Sequence, residues 1–490
     1  MGTLLATLAA RDPETLLVLD RAGAATRGQV VDTARRVAST LSGGAKSLQN
    51  ARIAIFASPG RDFLHALLGV WHAGGCATVL SPLHPEPESR FFCADAGVRA
   101  ILVTPDLAQR AMGLADVPIY DVTKLMSTRR LGPAIARPED DALMLYTSGT
   151  TGKPKGAVLT HANLFAQTTL LETAWGFGAA DVLLHALPLH HMHGLCIALM
   201  TALAAGAATR MLPAWDAAVV WETMRDSTVF MGVPTMYAKL LAAFDAADDP
   251  TRVRWTEHAL SLRLATSGSA ALPVTLAERW RAIAGAIPLE RFGMTEIGVG
   301  ITNTLDPARR KPGRVGTPLP TVEVRVVDEQ GQESTQGELQ IRGPSVFRGY
   351  HGREQATREA FVDGGWFRTG DTVLREDDGT FRILGRTSVD ILKSGGYKLS
   401  ALEIEEALRE HPAVAEVAVI GVPDETWGER VVACVVQRAD VTEQELRDFA
   451  KKTLASYKCP KDVVFMKELP KNAMGKVQKP ELLASLHRQS

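Results

Sequence analysis

The order of short β-rich runs around one helix face in the first hundred residues restricts this chain more than any other feature. Ala51-Arg-Ile-Ala-Ile-Phe56 is strand-like. Phe63, Leu64, Leu67, Leu68 and Trp71 then recur at the spacing of one helix face, and Cys76 to Leu80 and Arg99 to Val103 are again strand-like. Strand, helix and strand in close succession predict a parallel sheet wrapped by helices. Thr228–Met231 and Ser261–Ala265 continue the pattern, and Leu195–Ala208 reads as a buried helix too short for a bilayer. A chain of 490 residues exceeds one ordinary core.

Past Arg314 the texture changes. VEVRVVDEQGQ, GELQIRG and GTFRILG alternate apolar and polar residues between glycine turns, which suits antiparallel hairpins. From residue 387 a third texture begins. Ser400-Ala-Leu-Glu403 is a capping-box pattern opening a helix toward Glu410, Val414–Val422 and Val431–Gln437 read as strands, and Thr442–Leu454 as a helix. The expected fold is therefore α/β. An N-terminal domain, 1–386, carries parallel α/β sheets and an antiparallel β subdomain over about 314–386, and a small mobile α+β lid spans 387–490.

The net charge of -1 offers no basic surface for nucleic acid. Five scattered cysteines without a CxxC pair read as reduced thiols, and the N-terminal apolar stretch lacks a basic flank. A cytoplasmic protein with no membrane span is expected.

The chemistry is concentrated in Tyr146-Thr-Ser-Gly-Thr-Thr-Gly-Lys-Pro-Lys-Gly156, which follows the strand-like Ala142–Leu145. A loop this rich in glycine and hydroxyl residues can turn backbone N–H groups toward phosphate, with Lys153 and Lys155 adding charge. Pro154 after Lys153 rules out a Walker A loop and so disfavours a P-loop kinase or ATPase.

That string resembles the signature of the adenylate-forming superfamily of acyl-CoA synthetases, adenylation domains and luciferases. The resemblance continues in order through Phe292-Gly-Met-Thr-Glu296, Trp366-Phe-Arg-Thr-Gly-Asp371, Gly385-Arg386 with Ile391–Gly396, and Pro470–Lys476. It implies an ATP-dependent ligase that makes an acyl-adenylate and then a thioester. A carboxylate is a poor electrophile, and a mixed anhydride with AMP supplies the leaving group. By resemblance, the ATP site comprises Thr147, Ser148, Gly149, Thr150, Thr151, Gly152, Lys153, Lys155, Thr295, Asp371 at the ribose and Arg386. Ser267, Gly268 and Ser269 would lie on the adenine side. Glu296 and Thr147 would hold Mg²⁺. Lys476 would bridge the attacking carboxylate and the phosphate, and His191 would guard the carboxylate site.

The resemblance also implies a lid that swings after adenylation and presents Lys393, Gly395 and Gly396 to the pantetheine arm of coenzyme A. Thr-Ser-Val-Asp-Ile-Leu between Arg386 and Lys393 is longer than in many members, so the hinge lies at Ser388 or Asp390, with Asp390 preferred. No carrier segment follows Lys476 in the sequence, which makes coenzyme A the expected thiol.

For the acid, Leu187-Pro-Leu-His-His-Met-His-Gly194 and Arg291 resemble the malonyl- and methylmalonyl-CoA synthetases. Arg291 and His193 would there hold a second carboxylate, with Met294 beside them, and the substrate would be a short dicarboxylate. A buried arginine in a pocket for a fatty tail would have no counter-charge, which is costly. Two alternatives stay open. The glycines of Ile297-Gly-Val-Gly-Ile301 could enlarge the pocket for a short or medium neutral acid, or Arg291 could pair with Glu290 or Asp306. A non-catalytic nucleotide sensor is a third reading, against which Glu296, Asp371, Arg386 and Lys476 are all present.

Overall fold

The computed structural model describes residues 2–43, 45–125, 136–147, 154–395, 397–471 and 477–487. Strands Arg52–Phe56, Cys76–Val79 and Ala100–Val103 pair in parallel, and the helix Arg61–His72 connects the first two. The residues of Cys76–Val79 and Ala100–Val103 are all buried, as strands covered on both faces must be. These strands belong to a seven-stranded sheet that also contains the antiparallel hairpin Asp141–Thr147 and Lys155–Thr160. Gly349–Tyr350 closes one edge of it by pairing with Ala157 and Val158.

A nine-stranded sheet carries the parallel strands Leu289–Met294, Leu264–Ser267, Val229–Gly232, Val182–His185, Ala208–Met211 and Leu16–Asp20 in that spatial order. The expected strand at Ser261–Ala265 is shifted, because Ser261 caps the helix Asp249–Leu260 and pairing starts at Leu264. The buried helix expected over Leu195–Ala208 is π-helical over His193–Met200 and α-helical over Thr201–Ala205. It stops at Gly206, whose left-handed conformation ends the turn and releases Ala208 into a strand. In the nine-stranded sheet, antiparallel pairing next to the β subdomain starts before the expected 314, where Gly298–Thr302 folds back on Leu289–Met294.

Strands Glu323–Val327, Gln336–Arg342, Trp366–Arg375, Phe361–Val362 and Phe381–Arg386 form an antiparallel sheet, as the alternating texture predicts. Residues 387–390 then lead from Phe381–Arg386 to Ile391–Ser394, which lies in a different sheet with Tyr397–Ser400, Val414–Asp424, Gly428–Gln437 and Asp462–Phe465. Two hydrophobic clusters in this last region draw only on residues 392–486, whereas the largest cluster of the chain draws only on residues before 384. Ser400 caps the helix Ala401–Arg409 by accepting the Glu403 N–H, but the Glu403 carboxylate accepts from Lys458. The helix expected over Thr442–Leu454 spans Glu443–Ala450, opened by a capping box between Thr442 and Glu445. Among the described residues no helix is long and apolar enough to cross a membrane.

Candidate active site

Two groups of side chains gather at the carboxyl ends of these strands, where open α/β sheets bind their ligands. The first forms around Glu296. Thr147 and Lys155 face each other across the antiparallel hairpin, at the two ends of the phosphate-loop candidate. Ser148, Gly149, Thr150, Thr151, Gly152 and Lys153 lie outside the described residues. Because Gly349–Tyr350 pairs with the same hairpin, the Tyr350 hydroxyl reaches Glu296 Oε1 and donates at 2.8 Å. The Lys155 ammonium sits 5.1 Å from the centroid of the Tyr350 ring. Glu296 is 4% exposed, and burial raises its carboxyl above the ordinary range against the pull of Tyr350, Arg386 and Thr147. Its neighbour Thr295 is half-buried.

Arg386 joins this group from the antiparallel sheet. It lies opposite Asp371 in register, its Nε is 3.2 Å from Asp371 Oδ1, and its Nη1 donates to the Thr369 carbonyl at 2.7 Å. The W-x-x-T-G-D segment and the G-R pair, far apart in sequence, thus form one polar edge facing Glu296.

The second group surrounds Arg291, which lies on the strand that leads to Glu296. It is 5% exposed, and among the described residues neither its Nε nor its Nη2 has a hydrogen-bond partner. Burial pushes its guanidinium down to about 9, which still leaves it charged at neutral pH. The pairing with Glu290 or Asp306 left open by the sequence is absent among the described residues. The Glu290 carboxylate accepts from Gly313 N–H at 2.9 Å and is pushed up to about 8 by burial, while Asp306 caps its own turn at Ala308.

His193 stands beside this cation. It is 4% exposed, and its Nδ1 lies 3.3 Å from the Ser269 hydroxyl while Nε2 has no partner among the described residues. Burial, followed by the Arg291 charge, drives His193 well below the ordinary histidine value, so it is neutral. A hydroxyl donating to Nδ1 leaves the ring proton on Nε2, where it can be given to an anion. Burial also lowers His191 to about 4 and His190 to about 2, and the two rings are 4.0 Å apart. His190 packs in addition against His84, which makes it a packing histidine.

Of Ser267, Gly268 and Ser269, expected on the adenine side, Ser267 ends a parallel strand and the next two residues follow it into this second group: Gly268 lies under the Arg291 guanidinium and Ser269 touches His193. Met294 is half-buried at the end of the Arg291 strand. The glycines that could have enlarged the pocket are closed off by their neighbours. The space beside Gly298 is filled by the Gln167 amide, and a Cβ at Gly300 would lie 2.8 Å from Ile341 Cδ1.

Toward the lid, Asp390 closes the turn 386–390 by accepting the Arg386 N–H at 2.9 Å, whereas Ser388 is exposed. Lys393 is exposed and pairs with Glu329 at 3.4 Å. Gly395 adopts a positive φ of 57°, and a Cβ there would lie 3.1 Å from the Trp427 ring, so this turn needs glycine on both counts. Gly396 and Lys476 lie outside the described residues. The residues that the sequence did not flag are Tyr350 and Gln167. Neither sits in a motif, and both act through strands and helices from elsewhere in the chain.

The profile of the AMP-binding enzyme family matches residues 5–351, and that of its C-terminal domain matches residues 403–476. The chain belongs to the AMP-binding enzyme family. It is 42% identical over 482 residues to the malonate–CoA ligase ACSF3, mitochondrial, of Mus musculus, covering 90% of this chain and 82% of the relative. It is 39% identical over 485 residues to a malonate–CoA ligase of Arabidopsis thaliana, covering 91% and 80%. ATP-bound MatB from Rhodopseudomonas palustris superposes with a TM-score of 0.90 at 34% identity, covering 99% of this chain and 98% of that one. The AMP-binding family fold therefore extends over the crossover and the C-terminal sheet as well as the two α/β sheets.

Proposed function

We propose that this AMP-binding enzyme is an ATP-dependent malonate–CoA ligase. The observation that carries the choice of acid is Arg291, a buried cation with two unpartnered nitrogens beside a neutral histidine that can donate. A buried guanidinium left unpaired is costly, and a carboxylate at the far end of the substrate removes that cost by accepting from Arg291 and from His193 Nε2.

It is an AMP-forming acid–thiol ligase. One carboxylate oxygen of malonate attacks the α-phosphorus of ATP, the bond to pyrophosphate breaks, and malonyl-AMP remains. Coenzyme A then attacks the acyl carbon through its sulfur, its thiol proton passes to solvent, and AMP leaves with the electron pair of the broken acyl–oxygen bond. Residues 147–153 and Lys155 would cradle the phosphates, Asp371 would accept from the ribose hydroxyls, and Lys476 would stabilise the charge that develops between the two reacting anions. We place Gly268 and Ser269 at the acid end, with Ser267 and Thr295 between acid and nucleotide, and His191 beside the reacting carboxylate. Lys393, Gly395 and Gly396 would border the path of the pantetheine arm once the lid, 387–490, turns about Asp390 relative to 1–386.

One buried carboxylate and one hydroxyl, Glu296 and Thr147, suit a hard divalent cation that keeps water and phosphate oxygens as its other ligands. Mg²⁺ held there would neutralise triphosphate charge. A cytoplasmic location agrees with five free, buried cysteines, a thiol state that the mitochondrial interior of the relatives' name would equally preserve.

The test is a panel of malonate, methylmalonate, succinate, acetate, butyrate, octanoate and benzoate with ATP, Mg²⁺ and coenzyme A, reading pyrophosphate and acyl-CoA. Malonate should give the highest kcat/KM. A neutral acid in first place would overturn the assignment, and no pyrophosphate with any acid would overturn the ligase reading itself.

A further inference from the structure

The C-terminal helix Lys479–His487 begins with a lysine that is 8% exposed and carries two carboxylates. Lys479 Nζ lies 2.6 Å from Asp390 Oδ1 and 2.7 Å from Glu405 Oε1. Burial works against its charge, but Glu405 and Asp390 together hold its value above that of an ordinary lysine. Each acid has a further fixed duty. Glu405, on the helix Ala401–Arg409, accepts the Val419 N–H at 2.9 Å and so ties that helix to the lid sheet, while Asp390 accepts the Arg386 N–H at the turn between the two sheets. Gly385 leaves the room for this arrangement, since a Cβ there would overlap that of Asp390.

Lys479 also stands at the base of the segment that carries Lys476. The residues on either side of it are fixed: Lys471 and Val477 form an antiparallel bridge, and Gln478 N–H donates to the Pro470 carbonyl at 2.8 Å. The next residue is Lys479. One ammonium thus joins three things: the crossover turn, the lid sheet and the root of the lysine segment.

We propose that Lys479 is a positioning residue for adenylation, tying the root of the Lys476 segment to the Asp390 carboxylate so that the crossover turn and the lysine are set together. The inference rests on the ligase reading. It makes the two half-reactions unequal in their need for this contact. Adenylation requires Lys476 at the phosphate, whereas attack by coenzyme A on a finished adenylate requires the lid elsewhere.

The experiment measures malonate-dependent ATP–pyrophosphate exchange and, separately, thioester formation from synthetic malonyl-AMP and coenzyme A. Lys479→Met should slow exchange about 10- to 100-fold in kcat, the scale of a small misplacement of a catalytic group, with the KM values for ATP and malonate little changed. Thioester formation should fall less than about 3-fold, and Lys479→Arg should restore exchange to within about 5-fold of the parent. Glu405→Gln, which removes one charge from the same lysine without touching the turn, should leave both reactions near the parent. If Lys479→Met does not fold, Lys479→Gln, which keeps a hydrogen-bonding side chain without the charge and leaves Asp390 untouched, provides the same test. Equal losses in both half-reactions, undiminished exchange, or a Glu405→Gln variant as impaired as Lys479→Met would each overturn the proposal. A parent enzyme that gives no exchange with malonate would instead overturn the ligase reading.

Discussion

Arg291 occupies the space that a side chain at residue 268 would fill. A Cβ on Gly268 would overlap the guanidinium at Cζ and Nε and lie 2.8 Å from Nη2. The strand end Leu264–Ser267 and the strand Leu289–Met294 pair in parallel, so the glycine and the arginine meet across neighbouring strands. This contact fixes the direction in which the buried cation can extend.

Gly268→Ala should therefore displace Arg291 without removing it. Loss of a charged hydrogen bond in a buried site costs about 1.5–3 kcal/mol, or about 10- to 150-fold in kcat/KM for malonate. Butyrate turnover, where detectable, should change far less. Equal losses for both acids would show that the glycine serves the fold and not the cation.

Arg291→Met should raise the KM for malonate far more than that for a monocarboxylate of similar length. The same change should raise the melting temperature of the unliganded enzyme, because it removes a buried charge without a partner. Since the folded-state value is lowered to about 9 from 12.5, the penalty is fully present below pH 9 and is relieved as pH rises from 9 toward 12.5. The gain in melting temperature should thus be constant between pH 6 and 8. A lower melting temperature would mean that Arg291 has a structural partner.

Tyr350→Phe removes the 2.8 Å hydrogen bond to Glu296. That bond lowers the Glu296 value against burial, so its loss should raise the carboxyl further and reduce the ionised fraction at any given pH. A metal ligand must be ionised. Mg²⁺ titrations of activity should show weaker apparent binding, about 10-fold or more, with a larger loss at pH 6 than at pH 8. A uniform loss across that range would point to displaced side chains instead.

Lys476→Ala should lower adenylation by orders of magnitude and leave thioester formation from ready-made malonyl-AMP much less affected. Losses of equal size would be incompatible with a lid that withdraws the lysine between the two steps.

The sequence by itself determined the fold class, the strand–helix–strand order, the antiparallel texture past Arg314 and the separate texture past residue 386. Periodicity carries such information because strand and helix faces repeat locally. It also picked out Arg291, Glu296, Asp371 and Arg386, since each lies in a short contiguous string. The extents of Leu264–Ser267 and His193–Ala205 were not legible, because helix termination at Ser261 and Gly206 decides them.

Only the tertiary structure decided which of these residues meet. Tyr350 reaches Glu296 because a two-residue strand crosses to the edge of another sheet, and Gln167 fills the space beside Gly298 from a distant helix. Whether Arg291 was paired or free depended on where Glu290 and Asp306 found their partners, and those are backbone N–H groups brought in by turns. Side-chain identity and spacing encode what a residue can do. Burial and partnership arise from contacts between segments remote in sequence, and a local pattern does not contain them.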